Sequence, residues 1–117
     1  MLSILVVAPA NANLTGLGGR NPSVEVLHAH GPDEAVEKLA RNRRIDAVLL
    51  LCGAENTGIL EAIREDIPAA PPVFLPASDR TLLPGAYLLS PGDPDELLDR
   101  LVRELEEGSA THGKVKV

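Results

Sequence analysis

Aromatic residues are nearly missing from this sequence. They amount to 2%, Phe74 and Tyr87, and there is no tryptophan. A core built here must be aliphatic, from Leu, Val, Ile and Ala. Cysteine is almost absent too. Cys52 stands alone, which excludes an internal disulfide framework and suits a reducing compartment. A basic surplus is lacking: the formal net charge is −6. That balance argues against nucleic acid as the main partner. The basic cluster Arg41-Asn42-Arg43-Arg44 reads as a helix C-terminus complementing its dipole. No apolar run nears the roughly 18 residues of a membrane span, so no membrane partner is expected. Leu2 to Ala10 is apolar without a basic flank, so it reads as a strand and not a secretion signal. The expected setting is cytoplasmic.

What is present is a set of short aliphatic runs. Ala47 to Cys52 is apolar without alternation, between a charged turn and Gly53. A run this short, bounded by turn signals, suits a strand covered on both faces. It is placed at the centre of a parallel sheet. Ser3 to Ala8 is a second such run and the first strand. Ser23 to Ala29 alternates in part, as an edge strand does. Val73 to Leu75, ended by Pro76, and Ala86 to Leu89 complete five strands.

Helices fall between them. Gly31-Pro32-Asp33-Glu34 is a helix start, with proline early and acids in the first turn. Ala35, Val36, Leu39 and Ala40 form its apolar face. Glu55 to Asp66 reads as a helix with Ile59, Leu60 and Ile63 inward. Asp93-Pro94-Asp95-Glu96 is the strongest cap, a capping box opening a helix striped by Leu97, Leu98, Leu101, Val102 and Leu105. Gly108 is read as its stop. Residues 1–108 then form one domain, and 109–117 a flexible tail or linker. Pro9 to Asn21 holds only Leu14 and Leu17 as large apolar residues, so the first helix is expected to be short. Ala77 to Gly85 is too short and proline-broken for a normal helix. Strands alternating with helices mean an α/β, three-layer, doubly wound parallel sheet.

Three stretches resemble the receiver domain of bacterial two-component response regulators. They are Ile4-Leu5-Val6-Val7, the region Gly31 to Leu51 with Ile45-Asp46-Ala47-Val48-Leu49-Leu50, and Tyr87-Leu88-Leu89-Ser90-Pro91-Gly92-Asp93-Pro94-Asp95-Glu96-Leu97-Leu98. The resemblance implies a flavodoxin-like sheet of order 2-1-3-4-5, with a shortened first helix and a missing or vestigial fourth. It implies a phosphorelay signal-transduction role. It also locates the chemistry that this chain has lost. Receivers carry a phosphorylated aspartate where Leu51 stands and Mg²⁺-binding acids where Ala8 and Pro9 stand. Pro76 replaces their Thr or Ser, and Ser90 their lysine. An acyl phosphate requires a carboxylate nucleophile, and Mg²⁺ requires hard oxygen ligands. The expectation is a pseudo-receiver: not an enzyme, with no cofactor and no metal, working by protein–protein interaction. Tyr87 matches the family's switch aromatic, without its threonine partner. The resemblance also implies a cis Ser90–Pro91 bond. Leu82, Leu83 and Tyr87 are the expected partner surface, for another protein or a homodimer, at the edge formed by strands 4 and 5. The faces of Phe74 and Leu88 are expected to lie uncovered there.

An alternative is a small-ligand or nucleotide-binding domain. Its crevice would use Asn11, Asn13, Gly18, Gly19, Arg20 and Cys52, at the carboxyl ends of strands 1 and 3. The glycine loop is neither a Walker motif nor a dinucleotide fingerprint. Cys52 reads more simply as a small hydrophobe. His28 and His30 lack the further ligands a metal needs. Glu55 and Asp79 do not fit the family's spacing.

Overall fold

The computed structural model describes residues 2–9, 24–42, 44–67, 70–76, 86–89 and 92–115, with backbone alone for Ala54 and residues 107–115. The strands are β1 (Leu2–Val7), β2 (Val24–Ala29), β3 (Ala47–Leu50), β4 (Val73–Pro76) and β5 (Tyr87–Leu89). The helices are α1 (Pro32–Arg41), α2 (Asn56–Asp66) and α3 (Pro94–Val115), with a 3₁₀ turn at Gly53–Glu55 before α2. All pairings are parallel and the sheet order is β2-β1-β3-β4-β5. The expected order and the central place of β3 are what the structure has.

The continuous apolar run of β3 follows from its two covers. Val48 and Leu50 face a cluster with Ala35 and Leu39 of α1 and Ile59, Leu60 and Ile63 of α2. Ala47 and Leu49 face the other way, onto Leu97, Leu98, Leu101 and Val102 of α3. No β3 position is wet, so none is polar. The layers are α1 and α2, the sheet, then α3. Full burial of one such leucine contributes about 1.5–3 kcal/mol.

Local chemistry sets the helix ends. Pro32 occupies the first turn of α1 with Asp33 and Glu34 beside it. The Asp93 N–H donates to Glu96 Oε1 at 3.2 Å, the return arm of a capping box. Three expectations need correction. Ala40 is exposed, because the buried arc of α1 centres on Ala35 and Leu39. Gly108 does not end α3, which runs on to Val115. A mid-helix glycine costs about 1 kcal/mol relative to alanine, too little to force a stop. Phe74 is buried, at 4% exposure, and not uncovered. It pairs with Tyr87 in the ladder, whereas Leu88 pairs with Leu75. Phe74 and Leu88 therefore point to opposite faces, and α3 covers the Phe74 face. The expected short first helix, the vestigial fourth helix and the Ser90–Pro91 bond lie outside the described residues.

Candidate functional site

Parallel α/β sheets put their crevices at the carboxyl ends of the strands. Here that edge is formed by the ends of β1, β3 and β4, which the ladder sets side by side. Ala8 follows β1, is 1% exposed, and donates its N–H to the Ala29 carbonyl at 3.0 Å. Pro9 is exposed. Leu51 follows β3 and donates its N–H to the Val7 carbonyl at 2.8 Å. Its side chain is half-buried against the α3-side core. Pro76 closes β4, half-buried. The structure thus brings Ala8, Leu51 and Pro76 to one edge. Their side chains are hydrocarbon, with no atom able to attack phosphorus or ligate a hard cation. Ser90 lies outside the described residues.

The loop after β3 carries a buried polar contact at this edge. Gly53 takes φ 61°, a left-handed turn that L side chains rarely adopt. It redirects the chain into the 3₁₀ turn and α2. Asn56, the first residue of α2, is 5% exposed and is the buried polar side chain among the described residues. Its Oδ1 accepts the Cys52 N–H at 2.9 Å, so the side chain clasps the loop that Gly53 turns. The sequence reading missed Asn56. No helix-start rule marks this role, because Asn56 lies inside α2 and accepts from Cys52 upstream of the helix.

Cys52 is half-buried, and its Sγ lies 3.6 Å from the Val7 carbonyl. Burial pushes its thiol pKa up, and the nearby Glu55 carboxylate pushes it further. A raised thiol is a poor nucleophile at neutral pH. His30 turns Nδ1 toward the Ala8 carbonyl at 3.4 Å. His28 offers its backbone carbonyl to Lys38 Nζ. Among the described residues, no three His, Cys, Asp or Glu side chains gather as a metal set. Asn11, Asn13, Gly18, Gly19 and Arg20 lie outside the described residues, as do Asp79, Leu82 and Leu83.

Tyr87 and Leu88 are adjacent on β5, at 55% and 46% exposure. Tyr87 stacks on Phe74 with ring centroids 5.0 Å apart and planes at 25°. A groove of about 560 Å³ is lined by Tyr87 together with Ile63, Arg64, Ile67, Pro72 and Val73. A second hollow, of about 960 Å³, lies at the amino ends of the strands. There the Ser3 N–H donates to Asp46 Oδ2 at 2.8 Å and its hydroxyl to Glu25 Oε1 at 3.3 Å. Those bonds tie three strands together. No helix among the described residues is long and apolar enough to cross a membrane.

No protein-family model and no curated protein sequence matches this chain. Solved structures do. One is a chain in the crystal structure of the phosphorylated P1 domain of CheA3 in complex with CheY6 from R. sphaeroides. That match has TM-score 0.62 and 22% identity, over 89% of this chain and 95% of that one. A second is a two-component transcriptional regulator AraC from Clostridium phytofermentans, with TM-score 0.60 and 17% identity over 97% and 99%. A third is the lysine decarboxylase LdcF of Francisella novicida, with TM-score 0.61 and 14% identity. It covers 90% of this chain but 17% of the decarboxylase. One architecture thus occurs in two-component proteins and as a portion of an enzyme, so the likeness bears on fold. The strand order, the layering and these neighbours together give the conclusion: the chain has the receiver-like α/β fold.

Proposed function

We propose that this chain is a degenerate receiver-like signalling module that acts through protein contacts without aspartyl phosphorylation. One observation carries the reading. The carboxyl edge where a receiver-like sheet would hold its phosphoryl chemistry presents Ala8, Leu51 and Pro76. Phosphoryl transfer works by positioning and charge stabilisation, and these side chains offer neither. The chain then acts as a non-enzymatic scaffold. Its contact surface is the β4–β5 edge, where Tyr87 and Leu88 are exposed. β5 carries no charged residue, and an edge strand without charge is a template for a partner.

Incubation with acetyl phosphate and Mg²⁺, followed by intact mass, tests the reading. The expected spectrum is unchanged. A stoichiometric phosphoryl adduct that is labile to base would overturn it.

A further inference from the structure

The two edges of the sheet are built differently. β2 carries the exposed Glu25, and Lys38 Nζ donates to the His28 carbonyl. Charge and a covered carbonyl are ordinary ways of blocking an edge strand. β5 ends the described sheet on the other side, and Tyr87-Leu88-Leu89 has no charged residue.

The ladder fixes which β5 backbone groups face outward. The Val48 N–H donates to the Pro72 carbonyl at 3.0 Å. Backbone groups alternate sides along a strand, so Pro72 and Phe74 address β3, and Val73 and Leu75 address β5. Leu75 lies opposite Leu88. In a parallel pair, a residue that addresses its partner bonds to the two neighbours of its opposite number. Leu75 therefore engages Tyr87 and Leu89. The N–H and the C=O of Leu88 both point away from the sheet.

We propose that β5 pairs antiparallel with β5 of a second copy, about a two-fold axis at Leu88, joining two sheets into one. The occupant is a second copy because this arrangement is self-complementary. Leu88 set opposite Leu88 of the other copy is a hydrogen-bonded pair, exchanging both N–H···O bonds. Tyr87 then falls opposite Leu89 of the other copy, on the α3 side. One operation covers both large exposed apolar side chains among the described residues. β5 itself is Tyr-Leu-Leu, so the pairing sets no like charges opposite each other along the strand. The inference rests on the reading of the chain as a protein-contact module, and it names the contact.

Sedimentation over a concentration series tests it, on the whole chain and two variants. Leu88→Pro removes an outward N–H and no bond to β4. Leu88→Lys sets like charges opposite each other. The wild type is expected to rise from 12.4 kDa toward twice that mass. Both variants are expected to stay monomeric with unchanged far-UV circular dichroism. Fast amide exchange at Leu88 in the wild-type dimer overturns the proposal. So does a wild type that is monomeric at its highest soluble concentration, or a dimer that persists in both folded variants. If a variant unfolds, Tyr87→Ala replaces it, with the dimer expected to weaken at least tenfold; unchanged dimerisation overturns the pairing. Intact mass after acetyl phosphate, on the same samples, separates the two failures. An adduct sinks the functional reading and leaves the strand pairing standing.

Discussion

Placing a carboxylate at the end of β3 separates the fold from the chemistry. In Leu51→Asp, a half-buried leucine on the α3-side core is lost. Full burial of leucine is worth about 1.5–3 kcal/mol, so half of it forfeits about 0.75–1.5 kcal/mol. The new carboxylate sits beside hydrocarbon and the buried Ala8, and desolvation adds about 1–3 kcal/mol. The expected destabilisation is about 2–4 kcal/mol at neutral pH. Protonation relieves the desolvation part. The new group has a folded pKa raised above its unfolded value, so the penalty shrinks as pH falls below that folded value. Urea unfolding at pH 7 and pH 4.5 reads both parts, as a lower midpoint with unchanged m that recovers in part in acid. The variant is still expected to take no phosphoryl group from acetyl phosphate and Mg²⁺, because Ala8 and Pro9 supply no oxygen ligand. Stoichiometric phosphorylation of Leu51→Asp would refute the reasoning about β1. An unchanged urea midpoint would refute the packing assigned to Leu51.

Further outcomes follow from the loop after β3, with Gly31 ahead of α1 as a comparison. Asn56→Ala removes the acceptor of the Cys52 N–H and is expected to cost about 1–3 kcal/mol in chemical denaturation, with Asn56→Asp closer to wild type; equal losses in the two variants contradict the clasp. Gly53→Ala forces φ 61° on an alanine and is expected to cost about 1–2 kcal/mol. Gly31→Ala, at φ 176° with open space around its Cβ, is expected to be neutral or to stabilise by up to about 1 kcal/mol; the reverse ranking in thermal melts contradicts this. Cys52 is expected to react with iodoacetamide more slowly than a free thiol at pH 8, and at the free rate in denaturant. Its folded pKa is raised, so the unfolded chain loses this proton first and stability falls as pH climbs past the unfolded value, about 8.5. A faster folded-state reaction contradicts the assignment.

The framework was legible where one local rule decides. Ala47 to Leu50 could be read as central because a strand buried on both faces has no polar position to spare. Asp93 to Glu96 could be read as a cap because the capping box is a contact within one turn. Failures came where the answer is set by register or by neighbours. The face of Phe74 depends on its pairing with Tyr87, and sequence does not state the pairing. Gly108 lies within α3 because one residue's propensity is a weak prior on where a helix stops. The absence of oxygen ligands at Ala8 and Leu51 was legible at once, since a hydrocarbon side chain has the same chemistry in any fold. The clasp by Asn56 was not, since it needs the close return of the chain at Gly53.

The central claim is a receiver-like fold with an inert carboxyl edge. Amide spectra titrated with Mg²⁺ and then beryllofluoride, a mimic of an acyl phosphate, test it most directly. The account predicts no saturable shift at Ala8, Leu51 or Cys52 at either step. Saturable Mg²⁺-dependent shifts at those amides, completed by beryllofluoride, would contradict it.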